Sequence, residues 1–177
     1  CVYQINNVSK YYHCNEILRE EFYKNKWNID SCEHYSIFMS QASYPIKGLH
    51  LVLDALPSII KRFPDTKLYI AGNDILKSDT ISAKLRMTAY SKYISNIIKK
   101  FNLKDHIIFT GVLNEKEMCY MYLRSNVFVC PSSIENSPNS LGEAMILGVP
   151  CVSSYVGGVP DMLEHNKEGY LYPSDAP

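Results

Sequence analysis

Neither sign of charge is in excess in this chain of 177 residues, where 18 lysines and arginines balance 18 aspartates and glutamates. That balance excludes an overall field drawing the protein to nucleic acid or to an anionic membrane, so any anion site must be local. No apolar run approaches the roughly 18 residues of a membrane span, and the N-terminus lacks the basic-then-apolar order of a signal peptide. A cytoplasmic location with at most peripheral membrane association is the expectation. The six cysteines, at 1, 14, 32, 119, 130 and 151, include no C-x-x-C and no dense spacing. They read as reduced, structural thiols rather than a disulfide frame or a metal site. Internal repeats and low-complexity segments are absent too. The length is about one domain's worth, enough to bury a core without covalent staples.

From residue 36 onward, short apolar runs alternate with segments of helical period. Ser36–Ser40 (SIFMS), Lys67–Ala71 (KLYIA), His106–Thr110 (HIIFT), Asn126–Cys130 (NVFVC), Cys151–Ser153 (CVS) and Gly169–Tyr172 read as strands. Leu49, Val52, Leu53, Leu56, Ile59, Ile60 and Phe63 give one helical face, with a kink expected at Pro57 and a stop at Phe63-Pro64. Ile94, Ile97, Ile98 and Phe101 mark a second helix, and Asn114 with Glu117 resembles a capping box opening a third. Ser137 and Pro138 supply an N-cap and a first-turn proline for a fourth, which Gly148-Val149-Pro150 ends. A short fifth covers Pro160–His165. The alternation implies right-handed crossovers, hence a Rossmann-like, mainly parallel α/β sheet with helices on both faces. Ligands in such sheets sit beyond the carboxyl ends of the strands. Residues 1–35 fit this pattern less well; with Glu16–Lys24 as their one plausible helix, they are expected to be a linker or interdomain connection, and 36–177 the domain proper.

Chemistry concentrates in CPSSIENSPNSLGEAMILGVPCVSS, residues 130–153, where Glu135 and Glu143 flank a Ser-Pro-Asn-Ser turn. The amides at a helix start have no internal partner, and the macrodipole adds partial positive charge, so a phosphate would bind there. Neither carboxylate suits a phosphate, and each suits neutral hydroxyls. A ligand with phosphate in the middle and hydroxyls at both ends, such as a nucleotide-sugar, satisfies that layout. From spacing alone, a solvated helix glutamate and a loop charge are the competing explanation.

Glu135-Asn-Ser-Pro-Asn-Ser-Leu-Gly-Glu143, with its flanking apolar runs, resembles the E-x7-E signature of group 1 retaining nucleotide-sugar glycosyltransferases of the GT-B fold. Lys47-Gly48, Ile70-Ala-Gly72, Phe109-Thr-Gly111, Gly157-Gly158-Val-Pro-Asp161 and Glu168-Gly169-Tyr170 follow in the family's order, so the resemblance covers residues 36–173. It implies that Glu143 binds donor ribose and that Glu135 contacts the transferred sugar. Ser137 and the amides of Asn139, Ser140 and Leu141 would hold the diphosphate, and Lys47 would offset leaving-group charge without any metal or cofactor. Gly111 and Val112 match a turn that meets the nucleobase, although a glycine there also serves a tight turn. Gly157 and Gly158 would form a backbone nest near the sugar or diphosphate, or a simple flexible turn.

Two departures bear on function. The family usually carries an arginine shortly before the lysine, whereas this chain has Gln41, a neutral amide that cannot replace a guanidinium, so clamping of the diphosphate is weaker or shared with another group. Only the C-terminal, donor-binding domain of a GT-B enzyme is matched. The acceptor, a glycan or lipid-linked glycan, and the usual catalytic histidine belong to the other domain. The fragment is therefore expected to bind a UDP- or GDP-sugar without turning it over. The rivals are a nucleotide-sugar 2-epimerase, a phosphorylase, or a non-catalytic α/β nucleotide-binding module.

Overall fold

Apolar runs too short for a helix become strands, and with helices on both faces they stay hydrophobic on both sides. In the computed structural model, which describes residues 6, 8, 10, 17–76 and 88–174, six strands form one sheet. They are β1 (Glu33–Met39), β2 (Lys67–Ala71), β3 (Ile107–Gly111), β4 (Ser125–Cys130), β5 (Cys151–Ser154) and β6 (Tyr170–Tyr172). All five pairings are parallel, in the order β3-β2-β1-β4-β5-β6.

The period-two alternation of each strand divides the core into two layers. Ile37 and Met39 of β1 with Leu68 and Ile70 of β2 join one apolar cluster, covered by α1 (Leu49–Arg62) and α2 (Ala89–Lys100). Phe38, Tyr69 and Phe128 join the opposite cluster, under α3 (Glu115–Arg124), α4 (Asn139–Leu147) and the short α5 (Val159–Met162). Helix α1 runs through Pro57 and ends at Arg62. Both bonds of the capping box expected at Asn114 and Glu117 are formed. Cys32, Cys119, Cys130 and Cys151 are buried and unbridged, and burial pushes the Cys151 thiol up to about 12, as expected of structural thiols; Cys1 and Cys14 lie outside the described residues.

The N-terminal stretch departs from expectation. A boundary at residue 36 falls inside β1, and the core reaches back to Phe22, which is 0 % exposed. In place of the predicted helix over Glu16–Lys24 there is one 3-10 turn, Glu20–Tyr23, while Arg19 is extended and Glu16 lies outside the described residues. Phe22 packs edge-on to Tyr122, with ring centroids 5.8 Å apart. The Trp27 amide donates to the Leu147 carbonyl at 2.7 Å and its indole N–H to Ser125 at 2.8 Å, tying the segment to α4 and β4. The segment lacks periodicity because an aromatic plug and scattered polar contacts hold it, not a helical face. Trp27 is the chain's single tryptophan, so its fluorescence reports on this docking. Its thermal transition should coincide with that of far-UV circular dichroism. An earlier fluorescence transition would mean that the segment detaches by itself.

Candidate functional site

Strand order reverses between β1 and β4, so the chain leaves their carboxyl ends toward opposite sides and opens a crevice there. The loop after β1 tightens into one 3-10 turn, Pro45–Lys47, closed by Gly48 at φ +74°. A side chain at 48 would put its Cβ 2.1 Å from the Pro131 carbonyl oxygen, so only glycine lets the two loops touch. The Ser133 amide donates to the Ile46 carbonyl at 2.9 Å and fastens them together. This strap sets Lys47 beside Glu135, with Nζ to Oε1 at 2.6 Å and both side chains mostly sheltered.

Helix α4 starts one residue later than predicted, at Asn139, with Pro138 as its N-cap. Ser137 is not the cap: its hydroxyl donates to the Met162 sulfur at 3.6 Å, and the helix start has no side-chain cap. The Leu141 amide is also taken, donating to the Pro138 carbonyl at 2.9 Å, and the Leu141 side chain is in the core. The amides of Asn139 and Ser140 have no partner among the described residues and remain for an anion.

Lys47, Glu135, Ser137, Asn139, Ser140, Glu143 and Val112 all line a single cleft of about 750 Å³. Gly111 lies just outside it at the end of β3, with its carbonyl accepting from the Gly72 amide at 2.9 Å. Gly157 and Gly158 do not line the cleft either. They pack against the backbone of the 135–136 loop, where added Cβ atoms would lie 1.6 Å from the Glu135 carbonyl oxygen and 2.0 Å from that of Asn136. Ser40, Gln41 and Ser43 supply neutral polar groups on the β1 side, and Asn73 and Leu113 complete the β2 and β3 side.

Glu143 is 4 % exposed and sits at the fifth position of α4. Burial pushes its carboxyl up, opposed by the Arg19 guanidinium and the Tyr122 hydroxyl. Arg19 reaches it from the N-terminal stretch, with Nε donating to Oε1 at 2.8 Å and a terminal nitrogen 2.7 Å from the same oxygen. Arg19 also lines the cleft, and no motif marks it in the sequence because it lies in the stretch without periodicity. The detectable signal is local: Phe22, Tyr23 and Trp27, three aromatics in a polar run, mark a segment that must bury something.

Among the described residues no helix is long and apolar enough to cross a membrane, and no group of three His, Cys, Asp or Glu side chains could hold a metal ion.

The family model of glycosyl transferases group 1 matches residues 19–177, and so includes Arg19. Curated relatives include spore coat protein SA of Bacillus subtilis, 31% identical over 71% of this chain and 32% of its own length. The putative glycosyltransferase YtcC of the same organism is 29% identical over 86% of this chain and 35% of its own. The chain thus spans about a third of the length of these relatives. Among solved structures, sucrose-phosphate synthase of Thermosynechococcus elongatus superposes with a TM-score of 0.63 at 25% identity, covering 80% of this chain and 33% of that one. Anabaena HepE, solved in complex with UDP and glucose, gives 0.62 at 20% identity, over 78% of this chain and 34% of its own. Six parallel strands in Rossmann order, the matching architecture of GT-B neighbours and the family match together place this chain among the glycosyl transferases of group 1.

Proposed function

We propose that the chain is the donor-binding half of a retaining glycosyltransferase that takes a hexose from a UDP- or GDP-sugar. One observation carries this reading: a single cleft at the strand-order reversal holds Lys47, two carboxylates and the two unpartnered amides of α4. The diphosphate would lie on the amides of Asn139 and Ser140, where the helix dipole and Lys47 together relieve leaving-group charge by a few kcal/mol without a metal. Glu143 would accept hydrogen bonds from the ribose and Glu135 from the sugar, with the base near Val112. The UDP and glucose held by HepE, a protein of the same fold, support a donor of this class.

Lys47 and Glu135 are joined by an ion pair in the unliganded cleft, so donor binding would have to share or open it. An arriving phosphate competes for the ammonium, and a sugar hydroxyl competes for the carboxylate. The two halves of the pair are thus freed by the two ends of one ligand. The acceptor, a glycan or a lipid-linked glycan, would come from a second domain, and the chain alone would bind donor without transferring it.

Calorimetric titration of the chain with UDP-, GDP- and ADP-sugars and with the bare diphosphates tests this. At least one pair should bind. Glu135→Ala should spare the bare diphosphate and weaken the nucleotide-sugar by about tenfold, the loss of one charge-assisted hydrogen bond. Equal losses for both would overturn the sugar role of Glu135. No heat with any nucleotide at millimolar concentrations would favour a non-catalytic α/β module.

A further inference from the structure

Glu143 occupies a place where a carboxylate is hard to keep charged and hard to keep still. It is 4 % exposed, on a helix whose other inward side chains, Leu141, Ala144 and Leu147, are apolar and buried. Among the described residues one strong cation reaches it, and that cation comes from outside the sheet: Arg19, with two nitrogens within 2.8 Å of Oε1. The guanidinium is itself held, 4.8 Å over the ring of Phe22, whose side chain is fully buried between α3 and α4. One backbone bond from Trp27 to Leu147 then fixes the segment to the end of α4. Arg19 is therefore held between the carboxylate and the Phe22 ring, although 41% of its side chain stays exposed to solvent.

We infer that Arg19 is a positioning residue of the donor site: it clamps Oε1 of Glu143 so that the ionised carboxylate presents Oε2 to a vicinal diol in the cleft. This rests on the reading of Glu143 as the ribose-binding group. The hydrogen-bond pattern favours it, because two of the three guanidinium nitrogens, Nε and one terminal nitrogen, converge on the same carboxylate oxygen. On the lysine side of the cleft this chain has the neutral Gln41. The groups facing Glu143 are few. Tyr122, Cys119 and Glu115 come from α3, Arg19 comes from the N-terminal segment, and the Tyr122 hydroxyl is engaged at 2.9 Å with the Ser140 carbonyl. Cys119 and Glu115 offer no positive charge, so loss of Arg19 leaves a buried carboxylate with no cation among the described residues to replace it.

Two measurements on the 177-residue chain test this. The first needs no nucleotide: the carboxyl titration of Glu143, followed by NMR with isotope-labelled glutamate and assigned by Glu143→Gln, should move to higher pH in Arg19→Ala. Arg19→Lys, which keeps the charge and loses the fork, should fall between, and it serves if the alanine variant does not fold. An unmoved titration in both variants would overturn the proposal. The second compares UDP with its 2',3'-dideoxy analogue. Arg19→Ala should weaken UDP by about tenfold and leave the dideoxy analogue unaffected, because the lost interaction passes through the diol. UDP affinity in the variant should also rise with pH, as the carboxyl ionises, more steeply than in the wild type. Equal weakening of both ligands would mean that Arg19 touches the phosphates, and would overturn the positioning role alone. A wild-type chain that binds UDP and the dideoxy analogue equally would instead remove the ribose assignment of Glu143, and the inference with it.

Discussion

Glu143→Gln should make the unliganded protein more stable at neutral pH and a poorer binder of nucleotide. The two effects share one cause. Burial outweighs the help of Arg19 and Tyr122, so the carboxyl is pushed up from its ordinary range in the fold. A carboxyl with a raised folded-state pKa binds its proton more tightly in the fold than in the unfolded chain. Its stabilising contribution is therefore complete below the unfolded value and vanishes as pH rises through the folded one. As pH rises above the ordinary glutamate range the wild type loses that contribution, whereas glutamine carries no charge to desolvate and still offers an oxygen to the Arg19 guanidinium. The melting temperature of Glu143→Gln should accordingly exceed that of the wild type at neutral pH, and the gap should close toward acid pH, through the ordinary glutamate range. Nucleotide affinity should fall about tenfold in Glu143→Gln and up to a hundredfold in Glu143→Ala, the span of one to two charge-assisted hydrogen bonds. Lower stability in the glutamine variant would mean that the ion pair with Arg19 outweighs the burial. Unchanged affinity would remove the ribose assignment.

The architecture was legible because its signals are local. KLYIA has the same bounds in sequence and structure, and the capping box at Asn114 forms as its spacing demands. The E-x7-E spacing, too, brings both glutamates into one cleft. What stayed hidden depends on approach between distant segments. Glu143 and Arg19 are 124 positions apart, and no periodicity announces their meeting. The register of the fourth helix was misjudged for a smaller reason: Ser137-Pro138 has the composition of a cap, yet the serine hydroxyl turns to Met162. For the two glycines at 157 and 158 sequence leaves open a nest or a simple turn, and in the structure their lack of side chains is used against the backbone of the neighbouring loop. A sequence shows that a glycine is present; only packing shows which neighbour needs the space.

That packing makes Gly157→Ala the second substitution of large effect. Gly157 has φ +52°, and a Cβ there would stand 1.6 Å from the Glu135 carbonyl oxygen, a backbone atom that no rotamer change can move aside. The left-handed backbone costs alanine about 1 to 2 kcal/mol and the overlap about 1 to 3, so a loss of roughly 2 to 5 kcal/mol is expected in urea unfolding. Gly111→Ala is the control: it shares a positive φ, at +80°, but its added Cβ meets nothing within 4 Å, so only the backbone cost remains. If instead the 135–136 loop yields, stability recovers but Glu135 moves off Lys47, and nucleotide-sugar binding weakens while bare diphosphate binding is kept. Either response ties Gly157 to the placement of Glu135. A Gly157→Ala chain no less stable than Gly111→Ala, with wild-type affinity for nucleotide-sugar, would show that this contact does not hold the loop in place.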